Sequence, residues 1–148
     1  MKPSTPLAAA VVSAALLTTG AAAQTMDERL PGVWTMVSLE VADASGQMQP
    51  IPYSGQIVFT ADGHMAVQAM NPDPEAPDTP YTRNGYEAQY GRVVVDKANE
   101  TFTLTVESAL VRDLIGQELH RRYAVSGDRL ILTPVDPSEG FRVVYEQR

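Results

Sequence analysis

In the segment Ile57-Val58-Phe59-Thr60-Ala61-Asp62-Gly63-His64-Met65-Ala66-Val67, two apolar-rich runs flank an Asp-Gly pair. Asp-Gly suits a two-residue hairpin, because glycine takes positive φ without a side-chain clash. The segment therefore predicts two antiparallel strands joined through Ala61-Asp62-Gly63-His64. Outward from it the same pattern repeats. Short runs rich in Val, Ile, Thr, Tyr and Phe are bounded by Gly, Pro, Asp and Asn, and no long stretch keeps a helical period. Eight strands are predicted, at 33–42, 56–61, 64–70, 89–96, 101–109, 117–126, 129–134 and 140–147. Lys97-Ala98-Asn99 and Gly127-Asp128 supply two more tight turns. Consecutive strands joined this way predict an all-β fold, an eight-stranded antiparallel up-and-down barrel, since closure removes both exposed edges.

Loop lengths then distinguish the two ends. Alternate connections of a meander lie at opposite ends, and the three tight turns all fall on one side. The loops at 43–55, 71–88, 110–116 and 135–139 fall on the other, and each is longer. One end is shut and one is framed by long loops, as a ligand-binding cup requires. A barrel of this size either fills with side chains or holds one small ligand.

Composition narrows the partners. The 148 residues carry 11 Lys+Arg against 18 Asp+Glu, a net charge of −7, so nucleic acid and anionic membrane surfaces are poor partners. There is no cysteine, which removes disulfides, thiolate metal sites and a Cys nucleophile. At 44% hydrophobic and 20% charged, the chain is that of a folded globular protein. The start reads as an address. Met1-Lys2-Pro3 precedes an almost pure Ala/Val/Leu run from Leu7 to Leu17, and Ala21-Ala22-Ala23 offers the small residues a signal peptidase reads. The run is shorter than the ~20 residues a spanning helix needs. Residues 1–23 are expected to be a signal peptide, leaving a periplasmic or secreted protein with no stable membrane insertion.

Several motifs, in order, carry a family resemblance. Leu30-Pro31-Gly32-Val33-Trp34-Thr35-Met36-Val37-Ser38 resembles the Gly-x-Trp opening of lipocalins, and more closely that of the bacterial lipocalin-like domain family. Phe59-Thr60-Ala61-Asp62-Gly63-His64-Met65 resembles that family's Asp-Gly hairpin, and Tyr90-Gly91 its mid-chain step. Arg121 to Leu132 and the closing Tyr145-Glu146-Gln147-Arg148 are similar to its last two motifs. Many members carry a His on the fifth strand, where this chain has Leu104. The resemblance implies a short leader at 24–30, a lipocalin-like β-barrel domain over 31–148, and an interior for an apolar molecule. It implies no shared reaction.

Chain direction places individual residues. Trp34 and Arg148 belong at the tight end, where a guanidinium over the indole would seal the floor; the alternative is a frayed terminus. Arg121 interrupts the apolar face of Leu119, Tyr123 and Val125, so it must find an anion. That anion is either the acidic head of a ligand or Glu40, reached by counting alternate residues from an inward Trp34; the remaining alternative is a register slip that turns Arg121 outward. Tyr53, Tyr81, Tyr86 and Tyr90 fall at the open end, where a polar tip on an apolar ring suits a binding rim. Met65 and Tyr123 complete the expected ligand-binding set, with core packing as the plainer role. Glu118, His120 and Arg122 share a face that is either solvated or an oriented imidazole, and His64 follows a solvent-exposed turn. Residues 71–88 form an expected lid, with Asn84-Gly85 as its flexible point.

No metal site, cofactor motif, nucleophile elbow or phosphate-cradling loop is present in the sequence. The leading expectation is an exported barrel that binds a small apolar or amphipathic molecule at its long-loop end. Two alternatives stand beside it: a cofactor-free isomerase, cyclase or hydratase using Glu40, Tyr90 and Tyr123, and an envelope interaction protein whose barrel is filled.

Overall fold

The computed structural model describes residues 25–147. Nine strands follow in chain order: β1 (Gly32–Ala42), β2 (Met48–Ile51), β3 (Ser54–Phe59), β4 (His64–Met70), β5 (Tyr86–Asp96), β6 (Thr101–Ala109), β7 (Glu118–Ser126), β8 (Arg129–Pro134) and β9 (Phe141–Gln147). From β3 onward each pairs antiparallel with the next, and β9 returns to β1 to close the barrel. β2 and β3 act as two pieces of one stave. β2 pairs with the far half of β1, from Leu39↔Ile51 to Ala42↔Met48, and β3 with the near half, from Gly32↔Phe59 to Thr35↔Gln56. The result is a closed, eight-stranded antiparallel barrel.

Two expected loops are shorter than predicted. Residues 48–51, part of the expected 43–55 loop, form β2, an edge piece where Pro50 is tolerated. β5 starts at Tyr86 rather than at residue 89, so the long connection spans only 71–85. Its Asn84-Gly85 pair is a hairpin turn, not a flexible point. Asn84 and Gly85 both have positive φ (50° and 71°), and Arg83 and Tyr86 exchange backbone hydrogen bonds of 2.9 and 3.0 Å.

The tight end is filled. Phe59, Met65, Val93, Val95, Phe102, Leu104, Tyr123 and Leu130 all point inward and are buried. The segment before β1 closes the floor beneath them. Leu30 and Trp34 are wholly buried, and the Trp34 indole N–H donates to the Leu30 carbonyl at 2.8 Å. Tyr123 donates its hydroxyl to buried Asp27 at 2.8 Å, and the Arg29 guanidinium also holds that carboxylate, at 2.7 Å. Arg29 and Tyr123 together hold Asp27 well below the ordinary carboxylate range, with the Arg29 hydrogen bond the largest cause. Trp34 pairs with Gln147 on β9. The predicted contact with Arg148 and the leader at 1–23 lie outside the described residues.

A β-bulge corrects the reading of β1. The β1–β9 register shifts between Met36 and Ser38, so Val37 is an extra residue and the alternation restarts beyond it. Leu39 then faces Val143, and Glu40 faces Arg142. Counting by twos from Trp34 carried Glu40 inside. The bulge turns it out, where Arg142 donates to its carboxylate at 3.1 Å.

Candidate functional site

The open half of the barrel is built differently from the floor. On β5 the inward set Val95, Val93 and Gly91 continues to Gln89 and Glu87, opposite inward Val67 and Ala69 of β4. The Gln89 amide donates to the Glu87 carboxylate at 2.9 Å. Gln89 is only 7% exposed, and its amide oxygen has no partner. Burial pushes the Glu87 carboxyl from 4.5 up to about 7, while the Gln89 hydrogen bond and the Arg121 charge pull it down less strongly. Protein surrounds Glu87, yet it keeps accessible surface. The side chain thus faces the interior of the open half, enclosed by the wall without being sealed off. Tyr145 on β9 is pushed above its ordinary value by burial and then by the Glu87 charge, and Tyr53 is shifted the same way by the same two causes. The Glu87 charge thus bears on both tyrosines, and its one side-chain hydrogen-bond donor among the described residues is the Gln89 amide.

A latch closes the mouth above this cluster. Arg121 is inward and 8% exposed, as an Arg between Leu119 and Tyr123 must be on an alternating strand. Its partner is Glu139, not Glu40: the guanidinium lies 3.1 Å from the Glu139 carboxylate. Arg121 also donates to the Tyr81 hydroxyl at 3.2 Å, and Tyr81 in turn donates to Glu139. The guanidinium lies 5.0 Å from the Phe141 ring centre and 5.7 Å from that of Tyr81. Tyr81 comes from the 71–85 connection and Glu139 from the loop before β9, so one buried cation ties two mouth loops to the wall.

The wall itself has a gap. β1 and β3 stay paired only as far as Thr35↔Gln56, and beyond that β1 turns to β2. A cleft of about 470 Å³ opens there, lined by Met36, Gly55, Ala69, Met70 and Tyr86 among others. Its volume falls within the roughly 300–1,000 Å³ of small-molecule sites. Beside it, glycine lets β3 approach β4 closely: a Cβ at Gly55 would lie 2.5 Å from the Gln68 carbonyl oxygen and 2.8 Å from the Ala69 methyl. Ala69, on this cleft, is the residue opposite Glu87.

The expected site residues separate into three groups. Tyr53, Tyr86 and Arg121 gather around the open end and the cleft. Met65 and Tyr123 face inward but belong to the packed tight half, where Tyr123 serves Asp27. Tyr90 is 51% exposed on the outer wall, and Glu40 is outside as well. His120 also faces outward, 2.9 Å from the Thr103 hydroxyl. Sequence reasoning missed Glu87, Gln89, Tyr145 and Glu139. The first three were legible: alternation from Val95 back along β5 reaches Glu87, and Tyr145 is two residues from inward Val143. Among the described residues, no cluster of three or more His, Asp or Glu is placed to hold a metal.

A lipocalin-like domain family model matches residues 31–142. Among solved structures, the chain is similar to the crystal structure of an uncharacterized protein from Bacteroides eggerthii DSM 20697. The two share 15% sequence identity and a TM-score of 0.49, over 80% of this chain and 99% of that one. No curated protein matches the chain.

Proposed function

The chain belongs to the lipocalin-like domain family, and from that premise we propose that it binds one small, mainly apolar molecule in the open half of its barrel. The observation that carries the reading is the contrast along the inward face. Inward residues of the tight half are almost all buried, whereas Met36, Leu39, Leu119, Phe141 and Glu87, nearer the mouth, keep accessible surface. Apolar walls with a few convergent polar groups are the usual make-up of such pockets. The Arg121–Glu139–Tyr81 latch makes the mouth a gate, and the cleft beside Gly55 is a second way in. Export to a periplasm or medium, expected from residues 1–23, is part of the same proposal, with the ligand met outside the cytoplasm.

A second reading is favoured by one feature. Glu87, its carboxyl pushed up to about 7 by burial, and inward-facing Tyr145 belong to the same barrel interior, and a carboxyl and a phenol are groups a cofactor-free proton transfer would use. Binding is the first reading because a fold alone licenses no reaction.

Native mass spectrometry of protein purified from its own host tests the proposal. A mass excess that vanishes on denaturation, and that Leu39→Phe abolishes by filling the hollow, is the expected result. A bare mass, together with no uptake of apolar molecules added afterwards, would contradict it.

A further inference from the structure

The polar groups inside the barrel have a sign. Gln89 spends its amide N–H on Glu87 and leaves its own oxygen unpartnered in a residue 7% exposed. A buried acceptor without a donor is costly, and nearly all such atoms in folded proteins are satisfied by protein, water or ligand. Glu87 keeps some accessible surface and is only partly engaged. Among the described residues no cation forms an ion pair with it, and the Gln89 amide is the one side chain that donates to it. Arg121, the cation nearest in the interior, is already committed to Glu139 and Tyr81. The interior of the open half therefore holds two underused acceptors, one of them a carboxyl, and no free cation among the described residues.

Resting on the binding reading above, we propose that the polar end of the bound molecule is a primary amine, seated on the Gln89 side-chain oxygen and the Glu87 carboxylate. An ammonium brings three donors and a positive charge, enough for both acceptors at once. A hydroxyl brings one donor and no charge. A carboxylate brings no donor, and it would set a second negative charge against Glu87 in a low-dielectric site. Arg121, which from sequence alone was the natural anchor for an acidic head, instead holds the mouth loops. The apolar tail then runs along Leu39, Leu119 and Phe141 toward the mouth.

Calorimetric titration of the protein at neutral pH with octylamine, octanol and octanoate tests this, each ligand kept below its micelle concentration. The expected order is octylamine tightest, octanol at least about tenfold weaker, and octanoate weakest. Glu87→Gln should bring octylamine down to the level of octanol while leaving octanol itself unchanged. Gln89→Met, which removes the unpartnered oxygen and keeps the volume, should weaken octylamine in the same direction. Octanoate binding as tightly as octylamine would overturn the amine assignment and leave the apolar barrel reading standing. Equal binding of octylamine and octanol would also overturn it. Failure of all three to bind would remove the barrel reading, and the amine assignment with it.

Discussion

The two ends of the barrel solve opposite problems with similar residues. At the tight end the carboxylate of Asp27 is buried and fully engaged by Arg29 and Tyr123, above a floor sealed by Leu30 and Trp34. At the open end the carboxyl of Glu87 is buried with a single amide donor, beside an amide oxygen with none. The first arrangement holds its carboxyl far below the usual range; the second pushes it up to about 7. A well-paired buried charge closes a structure, and an underpaired one waits for something to pair with. The difference locates stability at the floor and, on the proposed reading, binding at the mouth.

Removing the floor should cost most. Trp34→Ala deletes the chain's single tryptophan from a wholly buried position together with its hydrogen bond, and should destabilise the fold by roughly 3–5 kcal/mol in urea unfolding. Glu87→Gln should do the reverse at the other end. A folded-state carboxyl raised from 4.5 to about 7 favours the fold below about pH 4.5, and that contribution is lost as the pH rises through 7. The substitution should therefore stabilise the ligand-free protein at pH 8 by up to about 3 kcal/mol and flatten the decline between pH 4.5 and 7. A neutral or destabilising result at pH 8 would show that Glu87 is better paired than the geometry indicates.

Asp27→Asn should cost about 2 kcal/mol, with the opposite pH signature. A depressed carboxyl stabilises the fold above the unfolded value of 3.8, and that contribution is lost as the pH falls below it. The variant should accordingly lose its deficit in acid. The smallest effect belongs to the latch. Tyr81→Phe removes the hydroxyl shared by Arg121 and Glu139 and should cost about 1 kcal/mol or less, while raising the rate at which an apolar probe enters. Unchanged entry kinetics in that variant would place the route at the Gly55 cleft.

The fold was legible because its signals are local. Gly127-Asp128 and the alternating runs depend on nearest neighbours alone and reappear in the structure. The Asp62-Gly63 hairpin reappears with one residue more than predicted: Phe59 pairs with Met65, so Ala61-Asp62-Gly63 form a three-residue loop with positive φ at Gly63 alone. The site was legible only in part, because facing depends on register. One extra residue at Val37 carried Glu40 from the interior to the surface, and no local feature of Thr35-Met36-Val37-Ser38 announces a bulge. The partner of Arg121 was hidden for a related reason: Glu139 sits in a loop, where alternation has no meaning. Glu87 was lost for a simpler one. Asn84-Gly85 was read as flexibility instead of a hairpin turn, so the first three residues of β5 were left in the lid and the central carboxyl went with them.

The measurement that bears most directly on the contrast between a filled floor and a hollow mouth uses Trp34 as its reporter. Diphenylhexatriene, an uncharged apolar fluorophore dark in water, is titrated into the protein while the tryptophan is excited. A hollow above the floor predicts saturable, one-to-one probe emission, with Trp34 fluorescence lost by energy transfer and both signals abolished by Leu39→Phe. Weak, non-saturating emission, with Trp34 undisturbed and no response to Leu39→Phe, would mean that the barrel is filled at both ends.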